Sequence, residues 1–132
     1  MIAVDTNIII RFLVKDDEKQ SATVFNRFKK AEADKESFFV TLLVVLEVIW
    51  VLESVYEYSR EEILYAMERL TRLAIFKFEE IDLVHDFLSL GKKTDQDLSD
   101  VLIGLCARYN GCDYTNTFDK RASKSSHFKL MQ

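Results

Sequence analysis

The stretch MIAVDTN, residues 1–7, decides the expected fold. Residues 2–4 form a short, uncharged, apolar run, which predicts a strand buried on both faces of a sheet. The run stops at Asp5, and Thr6 and Asn7 are both good N-caps for the apolar turn that follows. In open α/β sheets, ligands gather where strands lead into helices. The stretch therefore delivers a carboxylate to a place where such folds bind ligands.

The composition predicts one globular domain spanning residues 1–132. Apolar residues make up 48% of the chain and charged residues 30%, which is ordinary for a soluble protein. The net charge of −4 argues against a protein that grips nucleic acid by bulk charge alone. It permits an enzyme whose acids are concentrated in a metal site and whose cations surround that site.

Cysteine usage and hydropathy predict a cytoplasmic protein that does not enter a membrane. Cys106 and Cys112 lack the spacing of a metal site and are too few for a disulfide framework. No signal peptide is visible at the N-terminus. The apolar run at residues 38–52 is interrupted by Glu47 and is too short to span a bilayer comfortably.

Short strand-like segments alternate with longer helical ones along the chain. Strands are predicted near residues 2–4, 38–40, 74–78, 113–115 and 128–131. Helices are predicted near residues 8–13, 16–33, 42–56, 60–73, 80–90 and 97–110, with a short one opening at Asp119. Strands separated by helices pair in parallel, with helices on both faces of the sheet. The predicted fold class is α/β, a three-layer α/β/α sandwich with a central parallel sheet.

Three of these helices carry more specific signals. The second has an apolar stripe of Ala22, Val24, Phe25, Phe28 and Ala31. Ser59 and Glu62 form a capping box for the fourth helix. Gly91 predicts the end of the fifth helix and places Lys92 in the loop that follows.

Two acids in the first half of the chain are candidate ligands. Asp5 has a simpler interpretation as a helix cap, although Thr6 and Asn7 can do that work. Glu47 lies inside the apolar helix at residues 42–56, where a free carboxylate is costly unless it is paired or on a metal. The alternative for Glu47 is a salt bridge to Arg or Lys.

Three acids in the second half share the same ambiguity. Asp97 and Asp100 stand on one face of a helix, in its first turn. Asp97 is equally explained as an N-cap, so Asp100, just inside the helix, is favoured as the ligand. Asp119 follows a polar turn in which Thr117 can hydrogen-bond a carboxylate or a metal-bound water, and capping is again the alternative.

These acids suit a hard divalent cation, because Mg²⁺ prefers oxygen ligands. In this scheme Asp5 and Asp100 are the principal metal ligands, and Asp119 completes the site directly or through water. Glu47 is a metal ligand or orients a water molecule that attacks the substrate. Without metal, acids placed together repel, so at least one pKa should rise. The supporting residues are Thr6, Asn7, Asp97 and Thr117, and the substrate-binding cations are Arg11, Lys92, Lys120 and Arg121.

The ordered set of acidic motifs resembles the PIN domain, and most closely its VapC toxin branch. The motifs are DTN at residues 5–7, Glu47, DLSDVLI at residues 97–103 and TFDK at residues 117–120. The resemblance covers essentially the whole chain. It implies strand order 3-2-1-4-5, with the four acids converging above the strand ends. It also implies Mg²⁺- or Mn²⁺-dependent endoribonuclease activity on RNA, a cognate antitoxin and a homodimer.

Two other functions remain open from the sequence. The first is a catalytically silent PIN-like interaction module that uses the apolar helix at residues 42–52 for binding. The second is a phosphate-handling α/β enzyme, such as a receiver or a phosphatase, with Asp5 as the phospho-acceptor. Glu47 within an apolar helix fits that second function poorly, and acid-labile phosphate on Asp5 would be its signature.

Overall fold

The computed structural model describes all residues 1–132 of the protein. The chain divides into two compact units, residues 1–81 and residues 82–132. Each unit carries its own sheet and some of the candidate acidic ligands.

The first unit contains a three-stranded parallel sheet. Its strands are β1 (Ile2–Ala3), β2 (Phe38–Val40) and β3 (Phe76–Phe78), in the order β1-β2-β3. Phe38 lies opposite Ile2 on one side and opposite Phe76 on the other. The central strand is mostly buried, as expected for an aromatic and β-branched segment with neighbours on both sides.

Four helices accompany this sheet. They are α1 (Thr6–Leu13), α2 (Glu18–Ala33), α3 (Leu42–Ser54) and α4 (Arg60–Thr71). Asp17, Thr41 and Ser59 cap the last three of them through side-chain oxygens that accept backbone N–H groups. The capping box is confirmed, since Glu62 also accepts the N–H of Ser59 at 2.9 Å.

Aromatic rings fill much of the core of the first unit. The ring of Phe28 on α2 contacts Phe12 on α1 at 5.2 Å, Phe38 on β2 at 5.2 Å and Phe76 on β3 at 5.3 Å between centroids. Edge-to-face and tilted contacts of this kind add about 0.5–1.5 kcal/mol per pair to the burial itself. Phe28 therefore joins two helices to the sheet.

The second unit pairs two strands and surrounds them with helices. It contains α5 (Ile81–Lys93), which starts at the unit boundary, then α6 (Leu98–Tyr109), β4 (Thr115–Thr117), a 3-10 helix (Ala122–Lys124) and β5 (Phe128–Leu130). β4 and β5 are parallel. On α6, a Cβ at Gly104 would lie 2.8 Å from the ring of Phe128, so the absence of a side chain lets helix and strand approach closely.

The alternation of helices with parallel strands confirms the α/β class. The order is 3-2-1 in the first unit and 4-5 in the second. The complete order 3-2-1-4-5, the three-layer arrangement and the single domain over residues 1–132 stay predictions. No helix combines the length and the apolar content needed to traverse a lipid bilayer. Cys106 and Cys112 form no disulfide.

Several expected boundaries and faces differ from those observed. Ile2 and Ala3 are exposed, so β1 is not buried on both faces; it is only two residues long and its one partner in this sheet is β2. On α2, Ala22 and Phe25 are exposed, and Ser21 takes a buried position instead. The stripe is therefore narrower than the sequence predicts.

The second unit also shifts two predicted boundaries. Gly91 does not end its helix: it is buried, α5 continues through Lys92 and Lys93, and Thr94 then binds the carbonyl of Leu90 through N–H and hydroxyl. Cations in the last turn suit the helix dipole. The fourth strand starts two residues later than predicted, because the register with β5 begins at Thr115.

Candidate functional site

Asp5 stands at the end of the first strand and is the N-cap of α1. Its Oδ1 accepts the backbone N–H of Ile8 at 3.3 Å. The expectation that Thr6 and Asn7 do the capping is wrong, because the helix begins two residues earlier than predicted, at Thr6. Thr6 is buried and Asn7 is exposed. The Oδ2 atom of Asp5 accepts no hydrogen bond from the protein, so the cap orients the carboxylate and leaves one oxygen for a ligand.

Glu47 lies in the middle of α3 and is exposed, with no ion pair or hydrogen bond. The prediction that Glu47 is buried is therefore wrong, so its free carboxylate carries no burial cost. The alternative salt bridge is not formed either. Glu47 shares one stripe of the helix with Leu43 and Trp50, which are 79% and 58% exposed. The opposite stripe is buried, and it is formed by Val45, Val48, Ile49 and Leu52.

Arg11 on α1 already has protein partners. Its guanidinium lies 3.4 Å from Asp16, and its Nε donates to Gln20 at 2.6 Å. The hydroxyl of Tyr56 donates to the other oxygen of Asp16 at 2.7 Å, and this hydrogen bond is the main reason that the pKa of Tyr56 is raised. These contacts hold the connection between α1 and α2 and occupy part of the guanidinium of Arg11.

In the second unit, the charges of two predicted acids, Asp97 and Asp119, act on a third, Asp100. Asp97 is the N-cap of α6, and its Oδ1 accepts the N–H of Asp100 at 3.2 Å, so the capping interpretation of Asp97 is correct. Asp100 is half-buried, and its carboxylate accepts no hydrogen bond from the protein. Burial raises the pKa of Asp100, and the negative charges of Asp97 and Asp119 raise it further. No cationic side chain forms an ion pair with the carboxylate of Asp100 to offset these effects.

Asp119 is fixed by the turn that follows β4. Its Oδ1 accepts the N–H groups of Arg121 at 2.8 Å and Ala122 at 3.3 Å, at the start of the 3-10 helix. The hydroxyl of Thr117 accepts the N–H of Asp119 at 2.9 Å. Thr117 thus holds the backbone of the turn, whereas the sequence predicts that it bonds a carboxylate or a metal-bound water. As at Asp5, the second carboxylate oxygen accepts no protein hydrogen bond.

The predicted substrate-binding cations of the second unit are exposed. Lys92 lies in the last turn of α5, while Lys120 and Arg121 directly follow Asp119. The turn also displays Phe118, which the sequence reasoning passed over. The signal for it was a large apolar side chain placed between two polar turn residues.

Within neither unit do three or more His, Cys, Asp or Glu side chains form a group that could hold a metal ion by themselves. The donor chemistry nevertheless fits a hard cation. Asp100 lacks any protein partner and is destabilised as an anion by burial and by Asp97 and Asp119. Asp5 and Asp119 each keep one oxygen outside the hydrogen bonds that orient them. Carboxylates oriented in this way are suitable ligands for Mg²⁺ or Mn²⁺.

Comparison with known proteins decides the family. A family model described as the PIN domain matches residues 2–127. The chain belongs to the PIN domain family. This PIN domain is also similar to a VapC ribonuclease of Aquifex aeolicus (strain VF5), with 26% identity over 124 residues, covering 94% of this chain and 91% of the relative. The predicted family is thereby confirmed, and the relative supports a nuclease.

The stability of this PIN domain should depend on the ionisation of Asp100. Because the folded pKa of Asp100 lies above its ordinary value of 3.8, the ionised side chain costs stability at neutral pH and the cost disappears once it is protonated. In metal-free buffer, Asp100→Asn should therefore raise Tm at pH 7. The gain should shrink as the pH falls through the folded pKa and vanish below 3.8. Thermal unfolding followed by circular dichroism at pH 3 to 7 measures this.

The matched control is Asp113→Asn, which alters an exposed aspartate whose side chain has no hydrogen bond or ion pair. It should leave Tm nearly unchanged throughout. A lower Tm for Asp100→Asn at pH 7 in the absence of metal would contradict the repulsion inferred for the second unit.

Proposed function

We propose that the protein is an endoribonuclease that hydrolyses RNA phosphodiester bonds with Mg²⁺ or Mn²⁺, and that it is the toxin of a toxin–antitoxin pair. The observation that carries this proposal is the half-buried Asp100, which has no partner and whose pKa is raised beside Asp97 and Asp119. A cation there would relieve both the burial and the repulsion. Membership of the PIN family and the similarity to a VapC ribonuclease support the choice of RNA as substrate.

Asp5, Asp100 and Asp119 would hold the metal, with residues 1–132 acting as one nuclease domain. When bound, such an ion lowers the pKa of a water molecule and neutralises phosphoryl oxygens. The backbone N–H groups that bind Asp5 and Asp119 keep the carboxylates in place. Glu47, exposed on α3 and without a protein partner, would orient the attacking water and take up its proton.

The supporting and substrate-binding residues have distinct parts in this proposal. Thr117 and Asp97 fix the turn and the helix start that present Asp119 and Asp100. Thr6 and Asn7 open α1 behind Asp5. The phosphate contacts are assigned to Lys92, Lys120 and Arg121. Arg11 would add a contact through the part of its guanidinium that does not bind Asp16 or Gln20. Contacts of this kind weaken as the salt concentration rises.

The proposed partners are a cognate antitoxin and a second copy of the chain. The exposed stripe of α3 offers apolar surface, since Leu43 and Trp50 both face water. A surface of this sort on a single chain is typical of a protein contact. The same stripe is the specific observation that favours the alternative, a catalytically silent interaction module. We place the protein in the cytoplasm, where cysteines that form no disulfide are usual.

Cleavage of RNA by the purified protein tests this proposal. A broad pool of labelled RNA should be cut in the presence of Mg²⁺ or Mn²⁺ and should stay intact in EDTA, and an excess of either metal should restore cutting. Gel electrophoresis of the products measures it. No cutting under any metal condition by a folded protein would contradict the nuclease and favour the interaction module.

A further inference from the structure

Phe118 is the most exposed large apolar side chain of the second unit, at 82%. Its ring contacts no other aromatic ring and no cation within the protein. Phenylalanine usually contributes its apolar area to a core or an interface. The ring of Phe118 is therefore available to contact a ligand.

The backbone on both sides of Phe118 is held by hydrogen bonds. Before it, Thr117 is paired in β4, and its carbonyl accepts the N–H of Met131 at 2.9 Å. After it, Asp119 donates its N–H to the Thr117 hydroxyl and accepts the N–H of Arg121. The turn thus presents the ring at a fixed place, one residue from a carboxylate of the proposed nuclease site.

The charge around Phe118 favours a polyanion. Between residues 114 and 131 four side chains are cationic, Lys120, Arg121, Lys124 and Lys129, whereas Asp119 is the single acid. Two of these cations follow Phe118 within three residues and are exposed. An apolar ring flanked by cations matches a nucleic-acid strand, whose bases stack on aromatic rings while its phosphates contact Lys and Arg.

We propose that Phe118 is a specificity-determining residue that stacks on an unpaired base of the RNA next to the phosphate served by Asp119. This rests on the proposed nuclease function and deepens it, because it assigns one residue of this chain to the recognition of an unpaired base. Bases in a duplex are already stacked on their neighbours, so they are not available to the ring. Duplex RNA would then bind through its phosphates alone.

Binding in the absence of metal tests the assignment without cleavage. The probes are a fluorescein-labelled pool of unpaired twelve-nucleotide RNAs and a duplex RNA of the same length, titrated in EDTA at low salt with anisotropy as the readout. Phe118→Ala should weaken single-strand binding about 5- to 100-fold, the range observed for loss of one stacked base, and leave duplex binding unchanged. Phe118→Trp should retain single-strand binding, since it keeps an aromatic face.

The control is Tyr65→Ala, which removes another exposed aromatic ring, 64% exposed on α4 with Arg69 beside it. It should change neither titration. The assignment is overturned if Phe118→Ala binds single strands like the wild type, weakens both probes equally, or if the wild type prefers the duplex or binds neither. A change in the mass of the protein on gel filtration, without an effect on RNA, would instead make Phe118 a protein contact.

A parallel cleavage assay with Mn²⁺ separates this assignment from the nuclease proposal. Stacking of single strands on Phe118 without cleavage would leave the assignment standing and overturn the nuclease. Cleavage that is unaffected by Phe118→Ala, together with unchanged binding, would overturn the assignment alone.

Discussion

Asp100→Asn is expected to reduce RNA cleavage at least about a hundredfold, since even residues that only support a metal ligand affect activity by about 10- to 100-fold. The amide keeps the size of the side chain and removes the charge that a divalent cation needs. Initial rates on a labelled RNA pool with Mg²⁺ or Mn²⁺ measure the loss. Asp5→Asn should have a similar effect, because one oxygen of Asp5 is likewise outside the hydrogen bond that orients it.

The control for this prediction is Asp113→Asn, which removes one exposed carboxylate of the second unit and should cut RNA at the wild-type rate. Loss of activity in Asp100→Asn cannot be attributed to unfolding if its Tm rises at pH 7, as the raised pKa of Asp100 requires. Wild-type cleavage rates in both Asp5→Asn and Asp100→Asn would remove these residues from the site.

The second large effect is expected at the aromatic core of the first unit. Phe28→Ala should lower the free energy of unfolding by about 3–5 kcal/mol, the range for a buried phenylalanine. The ring of Phe28 joins α1 and α2 to the sheet through three other phenylalanines. Because α1 is capped by Asp5, loss of this packing should also loosen the carboxylate. Urea unfolding followed by circular dichroism measures the change.

Phe25→Ala on the same helix is the matched control. Its ring is 46% exposed and contacts the ammonium groups of Lys15 and Lys29, interactions worth about 0.5–1 kcal/mol at exposed sites. It should therefore change stability by about 1 kcal/mol. Equal losses for the two substitutions would show that Phe28 is not the centre of this core.

Local side-chain chemistry made much of the fold predictable. A side-chain oxygen placed before an apolar periodic segment marks a helix start, and Asp17, Thr41, Ser59 and Asp97 all cap as that rule requires. The strand at Phe38–Val40 was equally easy to predict from its aromatic and β-branched residues. These features depend on residues three or four apart, which the sequence displays directly.

Features that depend on packing were less predictable. A helix that is apolar nearly all round, such as α3, has no pattern that tells which face is buried, and Glu47 was placed on the wrong one. Gly91 ends a helix when a left-handed residue is needed, but here the helix continues through it. The start of β4 was set by its register with β5, a contact between segments far apart in sequence.

The candidate ligands Asp5, Asp100 and Asp119 were predicted correctly in some respects and not in others. The sequence identified Asp100 as the acid with a role beyond capping, and the structure leaves its carboxylate without a protein partner. It also treated capping and metal binding as rival explanations of Asp5 and Asp119. Asp5 caps its helix and Asp119 binds the backbone of its turn through one oxygen each, which leaves the other oxygen, so the two roles are compatible.

Diffraction from crystals grown with Mn²⁺, recorded where manganese scatters anomalously, tests most directly whether the proposed ligands Asp5 and Asp100 hold a divalent cation. We predict an anomalous peak within about 2.5 Å of carboxylate oxygens of both Asp5 and Asp100. A peak that contacts neither, or no peak at saturating Mn²⁺, would contradict the metal-dependent nuclease.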